Sequence, residues 1–532
     1  MNTIRDCWCF INNLIGTHFD FFLDGQGLSF VIGSGISGGW AAKELTEKGL
    51  KTLVLERGRM VEHIKDYTTA HKAIWEFPHR NKIPRNVREE NPIVSRCYAF
   101  REATENYFVK DDEHPYEQEK PFDWIKGYQV GGKSLMWARH TQRWSDLDFE
   151  ANAKEGVAVD WPIRYKDLAP WYSYVEKFAG ISGNRDGLDQ IPDGEFLPPM
   201  EMNCLEKHVK GEMKSKFPER DLVISRTANL TEGKKGRGPC QHRDLCKRGC
   251  PFGGYFSSNS ATLPAAKETG NLEMKVNSVV HSILIDPVSS KATGVRVIDT
   301  HTKEVSEYYA KIIFLNAATL NSTLVLLNST SERYPNGLGN DSGVLGENLM
   351  DHNYNARVQG DFDGFEDQYY KGRRANGLYI PRFRNVGGDS DQKNFKRGYG
   401  YQGGASRGDW TEAISEMKYG EDLKKAISEP GGWTIGINAF GECLPYHENK
   451  MTLDYDKLDK WGLPTITFDA EWKENEWEMR KDMKQQAAEM LTNAGFKDVQ
   501  TYDNPGAPGL GIHEMGTARM GKDPEESVVN EW

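Results

Sequence analysis

No run of about 18 apolar residues occurs anywhere in the 532-residue chain, so no segment reads as a membrane-spanning helix. Eight cysteines are too few for a disulfide-built scaffold. Positive charge is short as well: the net charge of −11 argues against a nucleic-acid-binding surface, which needs a basic patch. No period of 20 to 50 residues marks a repeat protein. What is present is 38% hydrophobic and 11% aromatic residue content, enough for large cores. The length exceeds what one core supports, and two domains are expected. The opening MNTIRDCWCFINNLIGTHFDFFLDGQGLSF holds a short apolar patch interrupted by Asn12, Asn13, His18 and Asp20. No small-residue cleavage site follows, so it reads as an extension rather than a secretory signal. A soluble protein, cytoplasmic or periplasmic, is expected.

The clearest motif is LSFVIGSGISGGWAAKELTEKGLKTLVLERG, residues 28–58. Phe30-Val31-Ile32 has the continuous apolar character of a buried parallel strand. Gly33, Gly35 and Gly38 complete G-x-G-x-x-G. Ala41, Ala42, Leu45 and Leu50 then keep helical spacing, Gly49 ends the helix, and TLVL makes a second strand ending in Glu56. The first glycine permits a tight turn, the second lets backbone approach a pyrophosphate, and the third lets helix and strand pack closely. The helix start offers unpaired N–H groups to phosphate. Glu56 lies where an acid, about 20 residues on, accepts from ribose hydroxyls. This predicts an α/β dinucleotide-binding unit, and spacing alone leaves flavin and nicotinamide dinucleotides both open.

Further segments follow in order: GYQVGGKSLMWARHTQRWSDLDFE (127–150), NLEMKVNSVVHSILID (271–286), IIFLNAATLNSTLVLLNS (312–329), GVLGENLMDH (343–352) and HEMGTARMG (513–521). Together they resemble the glucose–methanol–choline (GMC) family of FAD-dependent alcohol oxidoreductases. The likeness is nearest to the branch with gluconate and fructose dehydrogenases and pyranose oxidases, and runs from about Leu28 to the last residue. The resemblance implies that Gly33, Gly35 and Gly38 hold the FAD pyrophosphate and Glu56 its ribose. It implies that Gly131-Gly132-Lys133-Ser134 cover the flavin ring and that Val280 meets the adenine. Ala317-Ala318 replaces the family's usual Ala-Gly, a small steric departure. Some relatives tether flavin through a histidine where this chain has Met136, so FAD is expected to be non-covalent; His140 is out of register for that bond. The residues LERG after the second strand also favour FAD over a nicotinamide cofactor.

His513 falls on the family's catalytic histidine. Alcohol oxidation removes a hydroxyl proton and a hydride from one carbon, and an imidazole is suited to take the proton near neutrality. Relatives pair this histidine with a second His or Asn some three dozen residues further on. The chain stops at SVVNEW before that position, and Asn530 is too early for it. The sequence is therefore expected to be clipped at both ends. Two readings follow. One is an oxidoreductase acting on the CH–OH group of a sugar, sugar acid or polyol, with a quinone, cytochrome or dye, or an electron-acceptor protein, taking the electrons rather than oxygen. The other is an impaired flavin-binding remnant.

Cys240, Cys246 and Cys250 are spaced C-x5-C-x3-C. One branch of the family carries a three-iron cluster in a similar segment, which starts with an adjacent cysteine pair; here Gln241 follows Cys240. Bare thiols are the expectation, with an iron–sulfur cluster or another metal as the lesser readings. The expected fold is α/β, α+β overall: a Rossmann-like FAD-binding domain plus a second, mainly antiparallel substrate domain. Residues 27–355 form the first, with covering segments 61–119 and 151–204, completed by 500–532. Residues 356–499 form the second. DAEWKENEWEMRKDMKQQAAEMLTNAGF reads as one long helix ended by Gly. Trp137, Trp144, Tyr369 and Tyr370 are candidates for a sugar pocket, with core packing favoured for the Trp pair.

Overall fold

Leu28–Ile32 forms strand β1, Ile36–Glu47 helix α1 and Lys51–Leu55 strand β2, which pairs with β1 in parallel. Both strands are buried apart from their first residues, as their unbroken apolar runs require. Strand β3 (Leu272–Lys275) pairs in parallel with β2. The chain then makes a three-stranded antiparallel ribbon of β4 (Ser278–Ile285), β5 (Ala292–Asp299) and β6 (Val305–Tyr309). It returns as β7 (Ile312–Leu315), parallel to β1, so the first sheet has the order β3-β2-β1-β7. The computed structural model describes residues 28–368, 377–408 and 419–532. The readings placed on residues 1–27, Tyr369 and Tyr370 lie outside them.

A second sheet is antiparallel. Its long strands are β8 (Asn353–Phe362), β9 (Tyr399–Arg407) and β10 (Trp433–Gly441), with β10 between the other two. Alternation along β10 decides its two faces. Trp433, Ile435, Ile437 and Ala439 are buried, while Thr434, Gly436, Asn438 and Phe440 are only half-buried and line a cavity. Burying a side chain such as Ile435 contributes about 1.5–3 kcal/mol. Strands β11 (Lys450–Leu458) and β12 (Pro464–Asp469) form a hairpin beside residues 117–118, where Phe468 stacks on Phe122 at 4.2 Å.

The long helix forms as α2, Glu474–Asn493. Its buried Met479, Met483, Ala487 and Met490 recur at helical spacing and pack on the apolar face of the second sheet. Helix Cys204–Lys216 adds Leu205, Val209 and Met213 to the same core. Strand β13 (Lys497–Asp503) then pairs with the outer edge of β8, which brings residues 500–503 into the antiparallel sheet. The architecture is thus mixed α/β, a parallel nucleotide-type sheet joined to a larger antiparallel one.

Candidate active site

Between the two sheets lies a cavity of about 1940 Å³. That is about twice the upper end for a pocket holding one small molecule, so it has room for a cofactor and a substrate together. One wall is the glycine turn after β1. Gly33 sits at φ 92°, and a Cβ on Gly38 would stand 1.9 Å from the Gly33 carbonyl oxygen. Only glycines let this turn and helix close together. Gly35 caps α1 without a side-chain cap, and nothing lies within 4 Å of where its Cβ would be. The free N–H groups of the helix start therefore open on the cavity.

Glu56 is buried at the end of β2 and lines the same cavity. Its Oε2 accepts from the Ser34 amide at 3.0 Å and the Ser34 hydroxyl at 2.5 Å, and Oε1 accepts from the Gly58 amide at 2.9 Å. Burial pushes its carboxyl up from the ordinary glutamate range, against these hydrogen bonds. Ser34 carries the link onward, its Oγ accepting from the Gly131 amide at 3.0 Å. Gly131 sits at φ 93°, and a Cβ there would also collide with Asn259 Oδ1, so only glycine fits. Gly132 and Ser134 line the cavity, but the Ser134 hydroxyl is engaged by Gly131 O and the Ser258 amide. Val280, on β4, and Met136 are buried at the cavity wall. Asn316 Oδ1 is buried there without a partner. An orphaned acceptor, a glycine cradle and an uncapped helix start are the features a dinucleotide completes.

His513 opens on the same cavity, and its neighbour comes from an unexpected place. Its Nδ1 lies 3.1 Å from Nδ1 of His352, with the rings edge to face at 85°. The preceding residue, Asp351, is a buried clamp. Its Oδ2 accepts from the Gly509 and Gly511 amides at 2.9 and 2.7 Å, and Oδ1 accepts from the His513 amide at 3.0 Å. Burial, with the charge of Glu514, pushes the Asp351 carboxyl up to about 6. Burial, with His513 beside it, pushes His352 down to about 3, so that ring is neutral at physiological pH. His513 is also held below the ordinary histidine value, chiefly by burial, with Lys133 adding to the effect and Glu514 opposing it. Lys133 Nζ meets both Glu514 oxygens at 3.1 and 2.9 Å, joining the 131–134 segment to the histidine segment.

Asp351 and His352 end the segment GVLGENLMDH, whose sequence assigns them no role. The signal was an Asp-His pair at the mouth of a strand. Trp137 lines the cavity and donates from Nε1 to Phe256 O at 3.0 Å. Trp144 instead packs on Phe149 and Trp161. His140 bonds Ser225 through Nδ1. Cys240, Cys246 and Cys250 are free, half-buried thiols, and residues 242–245 of their loop line the cavity. Among the described residues, the side chains whose donor atoms converge within 4.8 Å as an ion would need are Asp351, His352 and His513, not the cysteines.

A nucleotide cradle and the His513 ring sharing one cavity define a dinucleotide-dependent oxidoreductase. The chain belongs to the GMC oxidoreductase family, whose model matches residues 44–354 and, for its C-terminal part, residues 445–532. FAD is the cofactor this family implies. The chain is similar to 2-methyl-1,2-propanediol dehydrogenase of Mycolicibacterium austroafricanum, at 28% identity over 94% of this chain and 87% of that protein. It is also similar to the fructose dehydrogenase large subunit of Gluconobacter japonicus, at 26% identity over 94% and 89%. In fold it resembles pyridoxine 4-oxidase from Mesorbium loti, with a TM-score of 0.55 at 16% identity, covering 95% and 91% of the two chains. Among the described residues, no helix is long and apolar enough to cross a membrane.

Proposed function

We propose that the chain oxidises a CH–OH group of a sugar, sugar acid or polyol, with FAD bound non-covalently along the glycine-lined wall and His513 as general base. The observation that carries this reading is the cavity shared by the glycine cradle and His513, whose Nδ1 lies 3.1 Å from Nδ1 of His352. Gly33, Gly35 and Gly38 hold the pyrophosphate and Glu56 the ribose; Glu56 Oε1, which accepts one bond, keeps a lone pair for it. Gly131, Gly132 and Ser134 cover the flavin ring, and Val280 meets the adenine. Met136 offers no nitrogen for a covalent tether. When bound, the flavin supplies the hydride acceptor.

The base needs a particular tautomer. With His513 Nδ1–H donating to Nδ1 of neutral His352, His513 Nε2 keeps its lone pair and can take the substrate hydroxyl proton. The reverse arrangement puts the proton on Nε2 and removes the base. Asp351 holds the backbone beneath this ring. The dehydrogenase names of the two relatives support CH–OH donors; a quinone, cytochrome or dye as electron acceptor is part of the proposal. The parallel sheet with its ribbon is read as the FAD domain and the antiparallel sheet as the substrate domain.

The test is the visible spectrum of the purified 532-residue chain, before and after denaturation and filtration, followed by anaerobic addition of alcohols. A flavin spectrum that passes into the filtrate, and that bleaches with a sugar or polyol, is expected. A chain that stays colourless with excess FAD overturns the cofactor reading. Bound flavin that no alcohol, sugar or sugar acid reduces leaves the inactive remnant as the correct description.

A further inference from the structure

Arg139 follows the flavin-covering segment and is 4% exposed at the cavity wall. Its Nε and Nη1 are buried without any hydrogen-bond partner. Its guanidinium lies 5.2 Å from the Tyr255 ring centroid, and among the described residues no carboxylate forms an ion pair with it. A buried guanidinium with two open donor atoms is costly unless something anionic meets it.

The sheet face opposite repeats the pattern. Arg357 on β8, Asn438 on β10 and Gln402 on β9 stand side by side in register, next to the row Gln359, Gly436 and Gly404. The two glycines leave a dent over which Arg357 leans, its Nη2 3.4 Å from where a Gly436 Cβ would be. Arg357 donates to Gln359 Oε1 at 2.9 Å, and among the described residues it has no acidic partner and Asn438 Oδ1 is unpartnered. Tyr354, beside His513's neighbour Phe440, feels both Tyr98 and Arg357, which sets this end of the cavity next to the base. Besides Glu56, the acids lining the cavity are Glu206, Asp244 and Glu514, the last paired with Lys133. Glu206 accepts from the Asn203 and Ala405 amides.

The geometry points to an anionic substrate: a hydroxy compound whose carboxylate or phosphate group is held by Arg139, with Arg357 and Asn438 on its hydroxyl-bearing side. This rests on the alcohol-oxidising reading above and narrows it. An oxyanion brings the countercharge that a buried guanidinium lacks, whereas a neutral sugar can accept its hydrogen bonds but supplies no charge.

The test compares anaerobic flavin reduction in the FAD-loaded full chain by glucose, glucuronate and glucose 6-phosphate, and by glucitol and gluconate. An anionic member of either set is expected to exceed its neutral partner in kcat/KM by about a hundredfold or more. The carboxylates and the phosphate ester distinguish the two oxyanions. In Arg139→Met that ratio is expected to fall towards one, and Arg139→Lys to restore part of it. Neutral sugars or polyols reduced as fast as their anionic partners overturn the inference and leave alcohol oxidation standing. So does an unchanged ratio in Arg139→Met. Reduction by none of these compounds counts against the function itself. Stoichiometric iron with no preference for anions would give Arg139's charge to the cysteine loop and overturn it as well.

Discussion

One added methyl tests whether Asp351 sets the position of the base. A Cβ on Gly511 would lie 2.7 Å from Asp351 Oδ1 and 2.8 Å from Oδ2, while ordinary contact begins at 3.4 Å. Gly511 has no positive φ, so alanine fits its backbone and the conflict is purely steric. Carboxylate and loop must part by about 0.6–0.7 Å, overpacking that costs about 1–3 kcal/mol. The parting stretches the three amide bonds to Asp351, including the one from His513. A misplacement of that order at a catalytic group lowers rates by about 10²-fold. Gly511→Ala is therefore expected to lower the melting temperature by a few degrees and slow anaerobic flavin reduction about a hundredfold, with flavin content kept. Asp351→Ala removes the same clash along with the clamp. The double variant should then be no worse than Asp351→Ala alone, a departure from additivity expected of touching residues. A Gly511→Ala protein with wild-type melting and rate, or strictly additive losses in the double variant, would refute the clamp.

Two further outcomes follow from the site. Because His513 sits below the ordinary histidine value of about 6.5, the rate of flavin reduction should hold as pH falls to that value and drop only below it, as the base gains its proton. In Lys133→Met the cation that depresses His513 is gone, so this acid limb should move to higher pH; a stationary limb counts against His513 as the titrating base. Ala318 adopts φ 64°, ψ 165°, a region almost reserved for glycine, at a cost of about 1–3 kcal/mol. Ala318→Gly should raise stability by about 1–2 kcal/mol in denaturant melts after glycine's own entropy is counted, and a loss would mean the strain is not there.

The nucleotide unit was legible because each of its signals is local. Gly33, Gly38 and Glu56 occupy one short stretch, and turn, helix packing and strand end are set by neighbours in sequence. His513 was legible through its flanking glycines and methionines. Its surroundings were not. Asp351 and His352 reach it from more than 160 residues away, and nothing in an Asp-His dipeptide announces which loop it will meet. Arg139 was hidden for a related reason, since one cation in an aromatic-rich stretch shows no period and only packing reveals that its donors lack partners. The strand KDVQTYD, β13, is largely exposed and lacks the apolar alternation by which β10 declares its face, so its place at the sheet edge depended on β8.

The ion pair between Lys133 and Glu514 spans 381 positions of sequence, and this fixes an order of events during synthesis. At about 5–20 residues per second, the ribosome needs roughly 20–80 s to pass from one partner to the other. Throughout that interval the glycine turn and the 131–134 segment exist without the histidine segment that faces them. The early segments must therefore wait as an open, half-walled cleft, reachable by FAD and by chaperones alike. A destabilised variant in the first sixty residues would leave that cleft less folded through the same interval and show itself first as lost soluble yield, before any change in turnover by the molecules that mature.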